Sequence, residues 1–388
     1  MLKRLYVHNY KCFINFEFKM DDDEYYKHSV LGIGKNGAGK TSIAEILQIF
    51  QRIGRGQANL LPLREDNVEI LPVISKDSFS FGNNEVSLHL EIEAEISGHL
   101  YLYKIICELP AGFSYLRVKE EILSIDGLRQ FEREVADIHF SPRQQTPFNF
   151  DWHSIYFPAF QARKKEENNL VENFKSWLKR MLIISPVPRN MNAILHCRAS
   201  HLQPDCSNII DWYAGLLERN PDAYGDVKNS YLKIVFPDFD GLRFEQNEYG
   251  VRYLKAYFAL GDRKTVIQFD KLADGEKCVI LAALVIAANQ ADHGSILCFW
   301  DEPDNFLALS EIEYFISILK KHFLQKGQII ISTHNPETIV RFSEDNTYIF
   351  FRNDHVSPTR IKTVSQWRKD TQFEGDFVTA WRLGDVEI

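Results

Sequence analysis

The chain has 388 residues, which at about 150 residues per domain corresponds to roughly two or three domains. Hydrophobic residues make up 45% and charged residues 25%, ordinary globular proportions that exclude a disordered or fibrous chain. The 45 Lys and Arg against 53 Asp and Glu leave a net charge of −8. That balance argues against a surface devoted mainly to coating nucleic acid and leaves room for a local basic groove.

From the N-terminus, LKRLYVHNY and INFEFKM read as two strands, with Ile14, Phe16 and Phe18 on one face of the second. This opening has no continuous apolar stretch of the signal-peptide kind. The acidic stretch Asp21–Glu24 reads as a turn or loop, and Ser29–Ile33 as a short apolar strand. From Thr41 the pattern turns helical, with Ile43, Ile46, Leu47 and Phe50 at i, i+3, i+4 and i+7. EVSLHLEIEAEI and LYLYKIICEL alternate with period two around Ser97-Gly98, an antiparallel hairpin or small sheet. SIYFPAF reads as a further strand, and residues 162–232 as a helical lid closed by a turn at Pro237–Gly241. The α/β pattern then resumes: strand VIQFDKL, apolar helix Glu276–Asn289, buried strand ILCFW, amphipathic helix Ser310–Phe323 and buried strand QIIIS. CVILAALVIAA is too short to span a bilayer and reads as a core helix. The six cysteines form no C-x-x-C pair and several lie in apolar runs, which fits buried thiols of a reducing, cytoplasmic compartment.

Gly34-Lys35-Asn36-Gly37-Ala38-Gly39-Lys40-Thr41 matches G-x-x-x-x-G-K-[ST] between an expected strand and an expected helix. Glycines let successive backbone N–H groups wrap phosphates, and the helix N-terminus adds a favourable dipole. Lys40 supplies charge at the β- and γ-phosphates and Thr41 a hydroxyl for Mg²⁺. ILCFW ends in Asp301-Glu302, carboxylates suited to holding the metal and polarising a water. Leu272-Ala273-Asp274-Gly275-Glu276 lies at the start of a helix, where phosphate oxygens bind. His334 follows a buried strand, in reach of a γ-phosphate.

In this order GKNGAGKT, LADGEK, WDEPDNFLAL and STHNP resemble an ABC-type ATPase, specifically the SMC/RecF/OLD branch of P-loop ATPases. Asn9-Tyr10-Lys11 resembles that branch's Asn-aromatic-basic element, and over two hundred residues separate Thr41 from Leu272. The resemblance implies an α/β P-loop NTPase core with an inserted antiparallel sheet and helical lid. Its parts would be an N-terminal lobe over 1–160, the lid over 161–264, and over 265–388 a C-terminal lobe with signature, Walker B and His switch.

It further implies two subunits sandwiching ATP and Mg²⁺. Lys11, Gly34, Asn36, Gly37, Ala38, Gly39, Lys40, Thr41, Asp301, Glu302 and His334 would act in cis, and Asp274, Gly275 and Glu276 in trans. Glu302, His334 and Lys40 would be catalytic, and Thr41 and Asp301 metal ligands completed by a glutamine: Gln161, with Gln144 and Gln145 as competitors. Ala273 stands where the signature carries Ser, which puts hydrolysis in doubt more than binding, and Ala308 replaces a frequent polar residue. About fifty residues follow His334, too few for a nuclease domain, and no sustained heptads appear. The implied role is a cytoplasmic ATPase of an ATP-driven homodimer or higher oligomer. It would regulate a separate effector, such as a nuclease or toxin of bacterial anti-phage defence, away from any membrane. A RecF-like ATPase binding DNA and an ATP-gated scaffold with little hydrolysis are the alternatives.

Two weaker patterns have plain readings. His196, Cys197, His201 and Cys206 match no common zinc spacing and read as a chance cluster. Arg163, Lys164, Lys165, Lys175, Lys179 and Arg180 offer a contact for nucleic acid, but Glu166, Glu167 and Glu172 dilute the patch, which favours a solvated helix face.

Overall fold

Three short runs, Ser29–Gly34 (β3), Leu297–Asp301 and Gln328–Ser332, are apolar almost without interruption, the mark of strands covered on both faces. They form the centre of a six-stranded sheet in the computed structural model, which describes residues 1–20, 27–65, 68–140, 148–162, 164–222, 225, 228–290 and 295–386. Before β3 come β1 (Leu2–His8) and β2 (Phe16–Lys19); after it come α1 (Lys40–Gly54), β4 (Leu88–Ile96), β5 (His99–Glu108), β6 (Arg117–Ile125), β7 (Leu128–Glu134), β8 (Asp137–Phe140) and β9 (Phe148–Asn149). Then follow α2 (Lys165–Lys179), β10 (Leu182–Ile184), β11 (Ile194–Leu195), α3 (Ile209–Arg219), β12 (Phe239–Gln246), β13 (Arg252–Leu260) and β14 (Arg263–Gln268). The last part holds α4 (Asp274–Gln290), β15 (Leu297–Asp301), α5 (Leu309–Gln325), β16 (Gln328–Ser332), β17 (Thr347–Phe351) and β18 (Arg360–Thr363).

The six-stranded sheet has the order β10-β15-β16-β3-β17-β18, parallel except where β18 joins β17. Alternate residues of its strands enter two separate cores. Val30, Leu297, Phe299 and Ile330 face α1, α2 and the antiparallel sheet. Leu31, Ile33, Cys298, Trp300, Ile329 and Ile331 face α3, α4 and α5. α4 is apolar nearly all round because it is enclosed by this second core. The eight-stranded sheet β9-β8-β7-β6-β5-β4-β1-β2 is antiparallel throughout.

The P-loop architecture with an added antiparallel sheet stands as expected, and its details correct several readings. The second strand starts at Phe16, not Ile14, because residues before it turn through left-handed Asn9, Lys11 and Asn15. SIYFPAF is not a strand but leads into a 3-10 turn over Phe157–Ala159. The backbone N–H groups of Tyr156 and Phe157 are drawn instead to the buried Glu121 carboxylate, each at 2.8 Å. VIQFDKL is strand only to Gln268 and then a 3-10 turn. The segment 161–264 is more than a helical lid. α2 packs in the first core, β10 is an edge strand of the six-stranded sheet, and β11–β14 form a further antiparallel sheet. Asp21–Glu24, Gln144, Gln145 and Arg163 lie outside the described residues.

Candidate functional site: a phosphate-loop cleft

The carboxyl ends of β3, β15 and β16 lie side by side, with Asp301 in register with Ser332 and Ser332 with Gly32. Such ends are where open α/β sheets bind ligands. The loop from β3 into α1 takes the form the glycines allow. A Cβ on Gly34 would sit 2.4 Å from the Phe350 carbonyl oxygen, and Gly39 has φ +101°. The Lys40 ammonium folds back and donates to the Gly34 carbonyl at 2.6 Å. Burial pushes its pKa down, while Glu302 and Asp301 pull it up.

The Thr41 hydroxyl donates to Asp301 Oδ2 at 3.2 Å, and the Ser332 hydroxyl donates to Oδ1. A hydroxyl and a carboxylate oxygen brought this close are the hard-oxygen pair a Mg²⁺ ion takes, so the residues fit that ion. Glu302 has a left-handed backbone, φ +49°, rare for a residue with a side chain. Its N–H is fixed to the Ser332 carbonyl at 2.9 Å. Its carboxylate accepts from the Asn305 amide at 2.5 Å and lies 3.0 Å from His334 Nδ1. Below it, buried Asp304 accepts from Thr333 at 2.8 Å and from Thr338, and burial raises its pKa.

A cleft of about 500 Å³ is lined by Asn36, Gly37, Ala38, Gly39, Lys40, Thr41, Asp301 and Glu302 among others, while Gly34 and His334 lie outside its lining, His334 reaching it only through Glu302. Lys11 lines it too, at left-handed φ +50°, paired with Glu45 and with its N–H on the Ser78 carbonyl at 2.7 Å. Sequence reasoning missed five more lining residues: Cys12, Ser42, Phe81, Arg352 and His355. Phe81 is 46% exposed with φ +50°. Arg352 and His355 lie in the turn between β17 and β18, which is anchored to the phosphate loop where Thr359 donates to the Ala38 carbonyl at 3.0 Å. Phe81 sits inside the 3-10 turn Ser80–Gly82, and the one signal of this kind legible in the sequence is Arg352, the first residue after the apolar strand β17.

Other expected residues lie elsewhere. Asp274, Gly275 and Glu276 open α4 and are not in this cleft, where the Glu276 carboxylate accepts from the Ala273 N–H at 2.8 Å. A Cβ on Gly275 would meet the Phe306 carbonyl oxygen at 2.6 Å. Gln161 is exposed, outside the cleft lining, so the structure does not bring it to Thr41 and Asp301. Asp211 accepts from the His196 and Cys197 N–H groups at 2.8 and 3.1 Å, while Cys206 is buried. Among the described residues no group of three His, Cys, Asp or Glu side chains is placed to hold a metal ion. No described helix is long and apolar enough to cross a membrane.

Comparison with known proteins agrees with this geometry. No curated protein matches the chain. A solved structure of an SMC head bound to the C-winged helix domain of ScpA is similar, with TM-score 0.54 and 14% identity, over 94% of this chain and 98% of that one. The SMC head domain from Thermotoga maritima gives TM-score 0.42 and 18% identity over 93% of this chain and 98% of its own. A Pyrococcus furiosus Smc head with an extended coiled coil, bound to the C-terminal domain of ScpA, gives 0.46 and 12% over 96% and 98%. At 14% identity the first likeness shows the fold alone, that of an SMC head. A family model described as an AAA ATPase domain matches residues 1–198, half of the chain, and with the phosphate loop and the Asp301-Glu302 strand end in place the protein belongs to that family.

Proposed function

We propose that the cleft binds ATP with Mg²⁺ and hydrolyses it to ADP and phosphate. The observation that carries this reading is the approach of the Thr41 hydroxyl to Asp301 at 3.2 Å beside a Glu302 oriented by Asn305 and His334. The loop N–H groups and the α1 N-terminus receive the phosphates. Lys40 exchanges its contact with the Gly34 carbonyl for phosphate oxygens. Thr41 and Asp301 hold the metal ion, which when bound neutralises charge on the phosphates. Glu302 takes a proton from the attacking water, and His334 keeps its carboxylate aimed at the cleft.

The signature residues Asp274–Glu276 lie outside this cleft, so they would complete the site on a second copy. ATP then joins two copies, hydrolysis separates them, and the change is passed to a separate protein. One solved SMC head similar to this chain is itself bound to the C-winged helix domain of ScpA. Calorimetry and a phosphate-release assay test the reading. Lys40→Ala abolishes ATP binding, whereas Glu302→Gln retains it and turns over about 10²–10⁴-fold more slowly. Wild-type turnover in Glu302→Gln would place the base elsewhere, and unchanged affinity in Lys40→Ala would remove the cleft from nucleotide binding.

A further inference from the structure

A second cleft, of about 410 Å³, opens where α1, α2, α3 and α4 end, beside the amino ends of β10 and β15, whereas the phosphate loop follows the carboxyl end of β3. Arg55, Lys179, Arg180 and Arg219 line it with His201, and no described lining residue is acidic. None of the four cations has an ion-pair partner among the described residues, although Lys164, just before α2, and Lys175 within it are paired with Glu167 and Glu172. Arg55 Nε is buried without a hydrogen-bond partner. Burial pushes the Arg55 pKa down to about 10, and burial together with Arg55 and Lys179 lowers that of His201.

The crowding is built in by the backbone. A Cβ on Gly54 would lie 2.6 Å from Leu178 Cβ and 2.8 Å from the Lys179 nitrogen, so the ends of α1 and α2 meet only because that residue is glycine. Helix dipoles account for part of the positive charge: four C-termini supply about half a negative charge each, about two in all, against four full cations. The remainder is a local positive surplus in a protein whose net charge is −8, with Arg55 and Arg180 half-buried inside the cleft and Lys179 and Arg219 exposed at its rim. The inner wall is apolar, with Trp212 and Leu216 buried beside Met181.

We propose that this cleft is a second anion site, which takes a phosphate ester of mononucleotide size with its phosphate on Arg55, Lys179, Arg180 and Arg219 and its body against the Trp212 wall. The volume lies in the range of small-ligand sites. The same chemistry is offered by a free nucleotide and by the 5′-terminal nucleotide of a strand.

Calorimetry with pyrophosphate counts the sites. The wild-type chain binds two per chain, Lys40→Ala binds one, and Lys179→Ala/Arg219→Ala binds one, with melting curves confirming that each variant is folded. AMP and a 5′-phosphorylated oligothymidylate then compete at the site remaining in Lys40→Ala. A strand end is the occupant if the oligonucleotide binds at least tenfold more tightly, and a free nucleotide if it does not. A wild-type stoichiometry of one, lost in Lys40→Ala and kept in Lys179→Ala/Arg219→Ala, overturns this proposal while leaving the ATP cleft intact. The reverse pattern, loss only in Lys179→Ala/Arg219→Ala, upholds the second site and removes the phosphate-loop reading.

Discussion

Glu302 and Phe81 both hold left-handed backbones beside the same cleft, a conformation that costs a residue with a side chain roughly 1–3 kcal/mol. At Glu302 the strain sets a carboxylate between Asn305 and His334. At Phe81 it turns an aromatic ring outward at the cleft wall, where a nucleoside base can stack. Stacking of a base on an aromatic side chain contributes about 1–3 kcal/mol. Phe81→Gly therefore weakens ATP binding by about tenfold or more, leaves inorganic triphosphate binding unchanged, and raises the melting temperature slightly by relieving the backbone. Equal losses for both ligands would show that Phe81 shapes the phosphate loop instead of meeting the base.

At the scale of elements, the antiparallel sheet carries a charge pair in its interior. Glu121 on β6 and Arg133 on β7 are cross-strand partners, both fully buried, 3.6 Å apart. The Tyr103 hydroxyl and two backbone N–H groups also donate to Glu121, while Arg133 donates to the Val135, Ser154 and Asp151 carbonyls. The pair thus ties the loop 151–157 to the sheet. Arg133→Met leaves the carboxylate buried without its charge partner and costs about 3–5 kcal/mol of stability. Denaturant unfolding checks this, and Arg133→Met/Glu121→Gln recovers part of the loss. A near-neutral single substitution would mean that the N–H donors alone satisfy Glu121.

For the whole molecule, the question is whether one copy's cleft is completed by another's α4. Gly275 is an awkward probe because any side chain there meets the Phe306 carbonyl of its own chain, on the loop that follows Glu302. Asp274 is partly exposed, and its one ion-pair partner among the described residues is Lys277, at 3.8 Å. Reversing its charge in the first turn of α4 costs the fold about 0.3–1 kcal/mol. Asp274→Arg is expected to bind ATP normally but to fail in hydrolysis and ATP-driven association, as read by phosphate release and light scattering. Mixing it with Lys40→Ala restores part of the activity, since one composite site then has a sound phosphate loop and a sound α4. Normal hydrolysis by Asp274→Arg alone would remove α4 from the site.

The sequence by itself determined the phosphate loop, the strand ending at Asp301-Glu302, the strand leading to His334 and the buried helix α4. Each is written in a contiguous run whose glycines, periodicity or apolar length decides the local backbone. It also showed the β4–β5 hairpin, where Ser97-Gly98 supplies two left-handed residues. Only the tertiary structure decided what depends on distant partners. SIYFPAF reads as a strand by composition, yet a carboxylate from β6 captures its N–H groups and turns it. Gln161 follows that turn and is exposed, outside the lining of the phosphate-loop cleft. Lys179 and Arg180 read as part of a solvated helix face, and Lys179 is exposed, yet Gly54 lets the end of α2 meet that of α1 beside Arg55 while α3 delivers Arg219. Charges hundreds of ångströms apart along an extended chain carry no local pattern, and their joint field exists only once the helix ends meet.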